Sequence, residues 1–288
     1  MRERENPPKR THSVTDTTHQ ATPTDVRCEL NGEPAGIEAL STVALLAYGH
    51  FSSMQVLGGG VPGLDLHLAR LDAATRELFG TALDLDAVRA YMRNAVAHHA
   101  DASLRVNVFS RALKLDHPAT PAKPDVLTTL GPPRKPATKP VHLQSVRYQR
   151  ELPHIKHVAT FGLFNQRRIA QLDGFDDALF VDPTGALSEA SVWNIGFFDG
   201  DGIVWPDAPA LAGITMQLLQ KALRGRGIAT ASRRVALADV GLFRSAFLCN
   251  TSCIALPVAS IDGVELAVDP KLVALLEACY ADNPIQAL

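Results

Sequence analysis

Residues 131–140 read GPPRKPATKP, and four of these ten residues are proline. Proline lacks an amide hydrogen and holds φ near about −65°, so neither a helix interior nor a central strand runs through such a stretch. The segment is a stiff, extended connection. A chain interrupted in this way folds as two units: a smaller N-terminal one over 28–130 and a larger one over 141–288, joined by the linker 131–140. Its Arg134, Lys135 and Lys139 read as solvated linker charge rather than a nucleic-acid contact. Ahead of the first unit, residues 1–27 contain no Leu, Ile, Phe, Tyr, Trp or Cys. Such a segment cannot bury enough apolar surface to offset its ordering entropy, so it is expected to be a disordered tail.

Periodicity fills in both halves. CELNGEPA, from Cys28, reads as a strand with an Asn-Gly turn. Phe51, Ser53 and Gln55 alternate with Ser52, Met54 and Val56, as in a strand with two unlike faces. Over 64–79, Leu64, Leu68, Leu71 and Leu78 share one helical face. A second amphipathic helix is expected over 85–99, with Asp84 or Asp86 near its start, and a strand over SLRVNVFSRAL. In the second half, VHLQSVRYQR reads as a strand and 161–173 as a helix closed by Gly174. Hairpins are expected around Pro183-Thr184-Gly185 and around 199–202. A helix over AGITMQLLQKALRGRG, strands at RRVAL, AFLCN and CIALPVASI, a short helix at ADVGLF and a terminal helix at KLVALLEACYA complete the pattern. Strands that cluster as hairpins in both halves predict a mixed α+β architecture with antiparallel or mixed sheets.

Composition narrows the function classes. Lys plus Arg number 28 and Asp plus Glu 30, a formal charge of −2. That balance gives no electrostatic case for nucleic acid or an anionic membrane. No stretch is long and apolar enough to read as a membrane span, and the first 25 residues lack the apolar run of a secretory signal. Four cysteines are too few for a disulfide scaffold, and Cys249-x3-Cys253 has no second pair to complete a zinc site. Buried reduced thiols, no metal and a cytoplasmic location are therefore expected.

Five motifs then appear in order: HLARL at 67–71, LPHIKHVATFGLFNQRR at 152–168, LSEASVWNIGFF at 187–198, AGITMQLLQ at 212–220 and CNTSCIALPVASIDG at 249–263. Taken singly, each has a plain structural reading: a surface arginine, a solvent lysine, a hairpin glutamate, an N-cap threonine. Together, over most of 29–265, they resemble the class IV aminotransferases. These are fold type IV enzymes that use pyridoxal 5′-phosphate, and they include branched-chain and D-amino-acid aminotransferases, (R)-selective amine transaminases and aminodeoxychorismate lyase. The resemblance implies a two-domain fold type IV architecture, a homodimer, and an amino acid or amine and a keto acid as substrates. Lys156 would hold the cofactor as a Schiff base. Arg70 would bind the cofactor phosphate, a pairing that guanidinium geometry suits. Glu189, 189 − 156 = 33 residues after the lysine, would pair with the pyridine nitrogen. Ile214 and Thr215 would offer a helix N-terminus to the phosphate, with Thr251 as a further phosphate ligand and Asn250 beside it.

The departures are also informative. Ala190 replaces the usual Gly, Gly196 stands where Phe is usual, and Met216 replaces a frequent Arg. Phe161 occupies the place of a tyrosine that bonds the cofactor's phenolate oxygen in many relatives. Asn250 is shared with aminodeoxychorismate lyase. On the substrate side, Phe51, Arg105 and Arg111 are the candidates, the two arginines being expected on one face of a strand because they differ by six. The reading that follows is transamination through Lys156. A lyase resembling aminodeoxychorismate lyase is the alternative, and a cofactor-binding relative without turnover is the third.

Overall fold

The computed structural model describes residues 26–288, so the tail expected over 1–27 lies almost wholly outside the described residues. The first half contains β1 (Arg27–Leu30), β2 (Glu33–Pro34), α1 (Ile37–Leu45), β3 (His50–Val56), β4 (Gly60–Pro62), α2 (Leu64–Phe79), α3 (Leu85–Val96), β5 (Ala102–Phe109) and β6 (Asp125–Gly131). The second contains β7 (Val141–Arg147), α4 (Phe161–Leu172), β8 (Asp177–Val181), β9 (Leu187–Ala190), β10 (Trp193–Phe198), β11 (Gly202–Pro206) and α5 (Ile214–Gly225). It continues with β12 (Ala229–Arg233), a 3-10 turn (Leu237–Leu242), β13 (Ser245–Asn250), β14 (Cys253–Ile261), β15 (Val264–Glu265), α6 (Pro270–Ala281) and β16 (Ile285–Ala287).

The first sheet has the order β2-β1-β6-β5-β3 and is antiparallel throughout. Asn31 (φ 52) and Gly32 (φ 87) make the turn between β1 and β2, the positive-φ pair that an Asn-Gly hairpin favours. α2 and α3 cover one face of this sheet. Leu64, Leu68, Leu71 and Phe79 of α2 pack with Val88 and Met92 of α3 on Met54, Val56, Leu104 and Val106. Each such side chain contributes roughly 1.5–3 kcal/mol by leaving water. The alternation of β3 thus resolves into a core face (Met54, Val56) and an opposite face bearing Phe51, Ser53 and Gln55. Asp84 caps α3, its carboxylate accepting from Ala87 N–H at 3.0 Å.

The second sheet runs β12-β11-β10-β13-β14-β7-β8-β9 and is mixed. Because β9 also pairs with β10, the strands from β10 round to β9 close into a ring. Its core includes Leu143, Leu179, Leu187, Phe197, Leu248 and Val258. α5 and α6 pack outside it on Ile203, Trp205 and Phe247. Residues 132–140 run between the two sheets without regular structure, as proline demands.

Three sequence expectations need correction. The strand expected at RRVAL lies earlier, as β12, because Gly227 (φ 69) ends α5 and the chain enters the sheet at once, parallel to β11. α1 was not foreseen. Only Ala39 of it is buried, so it carries no apolar stripe to read. The strand expected to run through Arg111 ends at Phe109, and Ser110 and Arg111 turn away from it.

Gly196 shows why a departure from the family pattern is tolerated. It pairs with Phe247 across β10 and β13, and a Cβ on it would lie 2.4 Å from the Phe247 ring and 3.1 Å from Trp205. The aromatic bulk of this position is thus supplied by the neighbouring strand. Gly196→Ala is expected to destabilise the protein by about 1–3 kcal/mol through overpacking, read as a lower denaturant midpoint. Combining it with Phe247→Leu should recover part of that loss, and an unchanged midpoint in the single variant would contradict this packing.

Candidate active site

A cavity of about 320 Å³ opens between the two sheets. Lys156 enters it from the irregular segment between β7 and α4, not from a strand end. That segment is nonetheless fixed to β3: Phe51 N–H donates to the Lys156 carbonyl and Val158 N–H to the Gly49 carbonyl, each at 2.9 Å. The lysine stem is therefore held at the edge of the first sheet while its neighbours belong to the second. Its Nζ lies 5.0 Å from the centre of the Phe51 ring. Burial, reinforced by the charges of Arg70 and Arg150, lowers the Lys156 pKa to about 7. A substantial fraction of the amine is then neutral and nucleophilic at physiological pH.

Glu189 on β9 is buried and, among the described residues, is the only carboxylate lining the cavity. Arg150 donates to its Oε1 through Nε at 2.8 Å, and Leu211 N–H donates to Oε2 at 3.2 Å. The same guanidinium donates to the carbonyls of Ile155 (3.0 Å) and Pro153. One buried arginine, 6% exposed, thus joins the carboxylate to the segment that carries Lys156. Sequence reading missed Arg150, because it lies in an irregular segment where no periodicity marks a side chain as buried.

Among the described residues, four buried polar atoms of the cavity lining lack partners: Arg70 Nε, His157 Nδ1, Ser191 Oγ and Thr215 Oγ1. Arg70 on α2 is half-buried, and its buried Nε has no acceptor, although its Nη2 donates to Ser52 Oγ at 2.5 Å. Thr215 on α5 is buried, and its hydroxyl bonds to nothing. Burial lowers the Arg70 pKa to about 10, so the guanidinium remains charged at neutral pH. The α5 N-terminus has no side-chain cap, leaving its first amides available. An unpartnered guanidinium Nε and an unpartnered hydroxyl beside an uncapped helix N-terminus fit an oxyanion.

Arg70 is itself braced. A guanidinium can only donate, so Ser52 Oγ accepts from it and passes its own hydrogen to His67 Nδ1 at 2.6 Å. That assigns the His67 proton to Nε2. Burial first and the Arg70 charge second hold His67 neutral, well below its usual pKa. The sharing of a helix face by His67 and Arg70 was legible. The serine relay between them was not.

The remaining predicted residues divide. Ile214, Thr251 and Asn250 line the cavity. Asn250, however, is spent on the β13–β14 turn: its Oδ1 accepts from Ser252 N–H (2.9 Å), Ser252 Oγ (2.8 Å) and Cys253 N–H (3.1 Å). It presents Thr251 rather than acting as a free ligand. Asn194 bonds the Leu211 carbonyl at 2.7 Å, and a Cβ on Gly213 would strike its Oδ1 at 1.9 Å, so glycine is required before α5. Phe51 and Arg105 line the opposite wall, the Arg105 guanidinium 3.6 Å from the centre of the Phe51 ring. Arg111 is a correction: it pairs with Asp125 at 2.9 Å outside the cavity, on a largely exposed side chain. Phe161 is another, being 82% exposed and outside the lining, so it does not stand in for a cofactor-contacting tyrosine. His154 bonds Glu77 at the surface, whereas His157 reaches the cavity and bonds the Glu151 carbonyl at 3.1 Å.

Residues 49–261 match the family described as amino-transferase class IV. Over 155 residues the chain is 28% identical to a protein of Rickettsia felis described as a probable branched-chain-amino-acid aminotransferase, covering 50% of this chain and 52% of that protein. The match thus spans about half the length of that curated relative. Among solved structures, an aminotransferase from Brucella abortus bound to pyridoxal 5′-phosphate is similar at TM-score 0.77 and 19% identity, covering 89% of this chain and 98% of that one. The Escherichia coli branched-chain amino acid aminotransferase is similar at TM-score 0.76 and 16% identity, covering 89% and 93%. A candidate 4-amino-4-deoxychorismate lyase from Legionella pneumophila is similar at TM-score 0.74 and 18% identity, covering 84% and 93%. At these identities the structures speak to the fold alone, which is that of fold type IV.

The electrostatics of Lys156 are testable without any ligand. In competitive acylation across a pH series, labelling of Lys156 is expected to be half-maximal near pH 7 and to rise with pH as the amine loses its proton. Free lysine and Nα-acetyl-lysine, added as internal references, titrate at the ordinary side-chain value of about 10.4. Labelling of Lys156 in step with them would contradict the environment described.

Proposed function

Because the chain belongs to the class IV amino-transferase family, we propose that it is a pyridoxal 5′-phosphate-dependent aminotransferase. It would move an amino group between an amino acid or amine and a 2-oxo acid, with Lys156 as covalent anchor and proton carrier. The observation that carries this reading is one cavity holding a lysine of lowered pKa together with unpartnered buried polar atoms, Arg70 Nε and Thr215 Oγ1 among them. Those groups fit the cofactor's aldehyde and phosphate in turn.

Arg70, Thr215 and the first amides of α5 would hold the phosphate, with Thr251 beside them. Glu189, held by Arg150 and the Leu211 amide, would offer its carboxylate to the ring nitrogen. Pyridoxal phosphate supplies, when bound, an electron sink for the charge released at the carbon bearing the substrate nitrogen. Lys156 Nζ is the group that accepts the proton from that carbon and returns it. A pKa near neutrality suits it to both directions. Phe51 and Leu163 narrow the cavity around the reacting position and limit water there.

A lyase resembling aminodeoxychorismate lyase is the second reading: Asn250 lines the cavity although its Oδ1 is committed to a turn, Phe161 brings no hydroxyl to the site, and a candidate lyase is among the similar structures. A homodimer is supported by α4, which presents Phe161, Phe164 and Leu172 outward next to the cavity. A cytoplasmic location is supported by four cysteines that stand unpaired, and cell fractionation checks it. No helix among the described residues is long and apolar enough to cross a membrane.

The test is the visible spectrum of the purified protein with pyridoxal phosphate, before and after D-alanine, L-alanine and L-glutamate. A yellow band that requires Lys156, and that bleaches with one donor, is expected. Lys156→Ala should lose the band and at least about 10³-fold in turnover. Pyruvate release without any amino acceptor would replace transamination by elimination. Absence of the band in folded protein would remove the catalytic reading. Sedimentation of the same sample should give a dimer, and a monomer would overturn that part.

A further inference from the structure

The two side chains assigned to the phosphate stand on different halves of the chain. Arg70 is on α2, whose buried face packs in the core of the first sheet, and Thr215 is in the first turn of α5, which packs outside the second. An oxyanion shared by both is held only as well as the spacing between the two helices is held. The helices meet at their N-termini. Gly63, immediately before α2, is left-handed (φ 69), and a Cβ on it would lie 3.1 Å from Leu218 and 3.2 Å from Ile214. The start of α2 therefore rests on the residue next to Thr215. Beside this contact the packing is incomplete: a cleft of about 110 Å³ opens between Leu66 of α2, Gln217 and Lys221 of α5, and Pro284. Side-chain packing alone does not fix this crossing.

β16 bridges the same crossing. α6 packs with the second sheet, and the chain then returns to the first half. At the near end Asn283 is buried, and its side-chain amide donates to the Leu218 carbonyl of α5 at 3.4 Å and to the Tyr280 carbonyl at 3.0 Å. Three residues on, Gln286 pairs with Val61 of β4, and its Oε1 accepts from the Asp65 N–H in the first turn of α2 at 3.2 Å. Leu288 packs on the core of the first sheet. Gly60 permits this pairing, because a Cβ there would lie 2.7 Å from the Gln286 carbonyl oxygen and 2.6 Å from Ile285. Ile285 and Ala287 are exposed, so β16 is held by register and hydrogen bonds more than by burial.

We propose that residues 283–288 form a strap tying α5 to α2, and that Gln286 and Gly60 are positioning residues which set Arg70 against Thr215 for the phosphate. Arg70 lies seven residues beyond Gly63, about 10 Å along the helix at 1.5 Å per residue, so a small tilt at the strapped end displaces the guanidinium. Residues 283–288 lie outside the cavity lining, and among their hydrogen bonds none reaches Lys156 or Glu189. The strap thus acts on the phosphate end and leaves the lysine and carboxylate end as it is. This inference rests on the proposed cofactor and deepens the account of how its phosphate is held.

The experiment titrates the full chain with pyridoxal phosphate and with pyridoxal, which lacks the phosphate, by the visible band, and with inorganic phosphate by calorimetry. Gly60→Ala sets a methyl against the Gln286 carbonyl and displaces β16. It should weaken pyridoxal phosphate and inorganic phosphate by about tenfold, the size of one weakened charge-assisted bond, and leave pyridoxal within about twofold. Gln286→Ala keeps the strand and loses only the bond to the Asp65 amide, so it should show the same selectivity at about threefold. A purely structural role would lower the denaturant midpoint and weaken pyridoxal and pyridoxal phosphate alike, and that result overturns the proposal. Wild-type affinity for all three ligands in folded Gly60→Ala overturns it as well. If Gly60→Ala does not fold, Gln286→Ala decides, and unchanged phosphate affinity in that variant rejects the strap. Failure of wild type to form the yellow band bears on the proposed function alone, since the inorganic phosphate titration still reads the strap.

Discussion

The ion pair between Arg150 and Glu189 is the joint on which the site depends. A buried carboxylate without a partner would take up a proton, and a buried guanidinium without one would cost several kcal/mol. Here each answers the other at 2.8 Å, and the arginine's remaining hydrogens close on the Ile155 and Pro153 carbonyls. A single side chain therefore answers the Glu189 carboxylate and fixes the backbone that leads to Lys156. The turn it braces contains Leu152 at φ 42, a region leucine avoids, which such bracing makes tenable. Removing one partner of a pair like this costs about 3–5 kcal/mol, so the joint is structural as well as functional.

From that joint the electrostatics follow. Lys156 stands among Arg70, Arg105 and Arg150, with Glu189 as the only opposing charge in the cavity wall among the described residues. Cations and burial both favour the neutral amine, and the same cations make the cavity attractive to a phosphorylated, carboxylate-bearing guest. One arrangement thus serves two ends: it lowers the lysine pKa and presents cationic groups suited to an anionic guest. The serine and histidine behind Arg70 keep its guanidinium aimed without adding a competing charge, because His67 stays neutral.

Much of this was legible in the sequence, and for identifiable reasons. α2 kept its bounds because leucine spacing on a helix face is a strong signal, and the two hairpins of the second half formed at their Gly-containing turns. Motif order brought Arg70, Lys156, Glu189, Ile214, Thr215 and Thr251 to the same cavity. What escaped depends on contacts between distant segments. Arg150 and Arg134 lie where the chain has no period, so only the fold reveals one as buried and the other as docked by Gln55. Arg111 misled because a strand period was carried two residues past the strand's end, to where Asp125 captures the side chain. Phe161 misled because a motif position fixes sequence distance but not the direction in which a helix N-terminus faces.

The central claim is that Lys156 is the neutral amine to which the cofactor attaches. It is tested most directly by incubating the folded protein with pyridoxal phosphate at neutral pH, reducing with borohydride and mapping the label by proteolysis and mass spectrometry. The account predicts a single phosphopyridoxyl group, on the peptide containing Lys156. A label on another lysine, or one scattered over the exposed lysines with Lys156 unmodified, would contradict it.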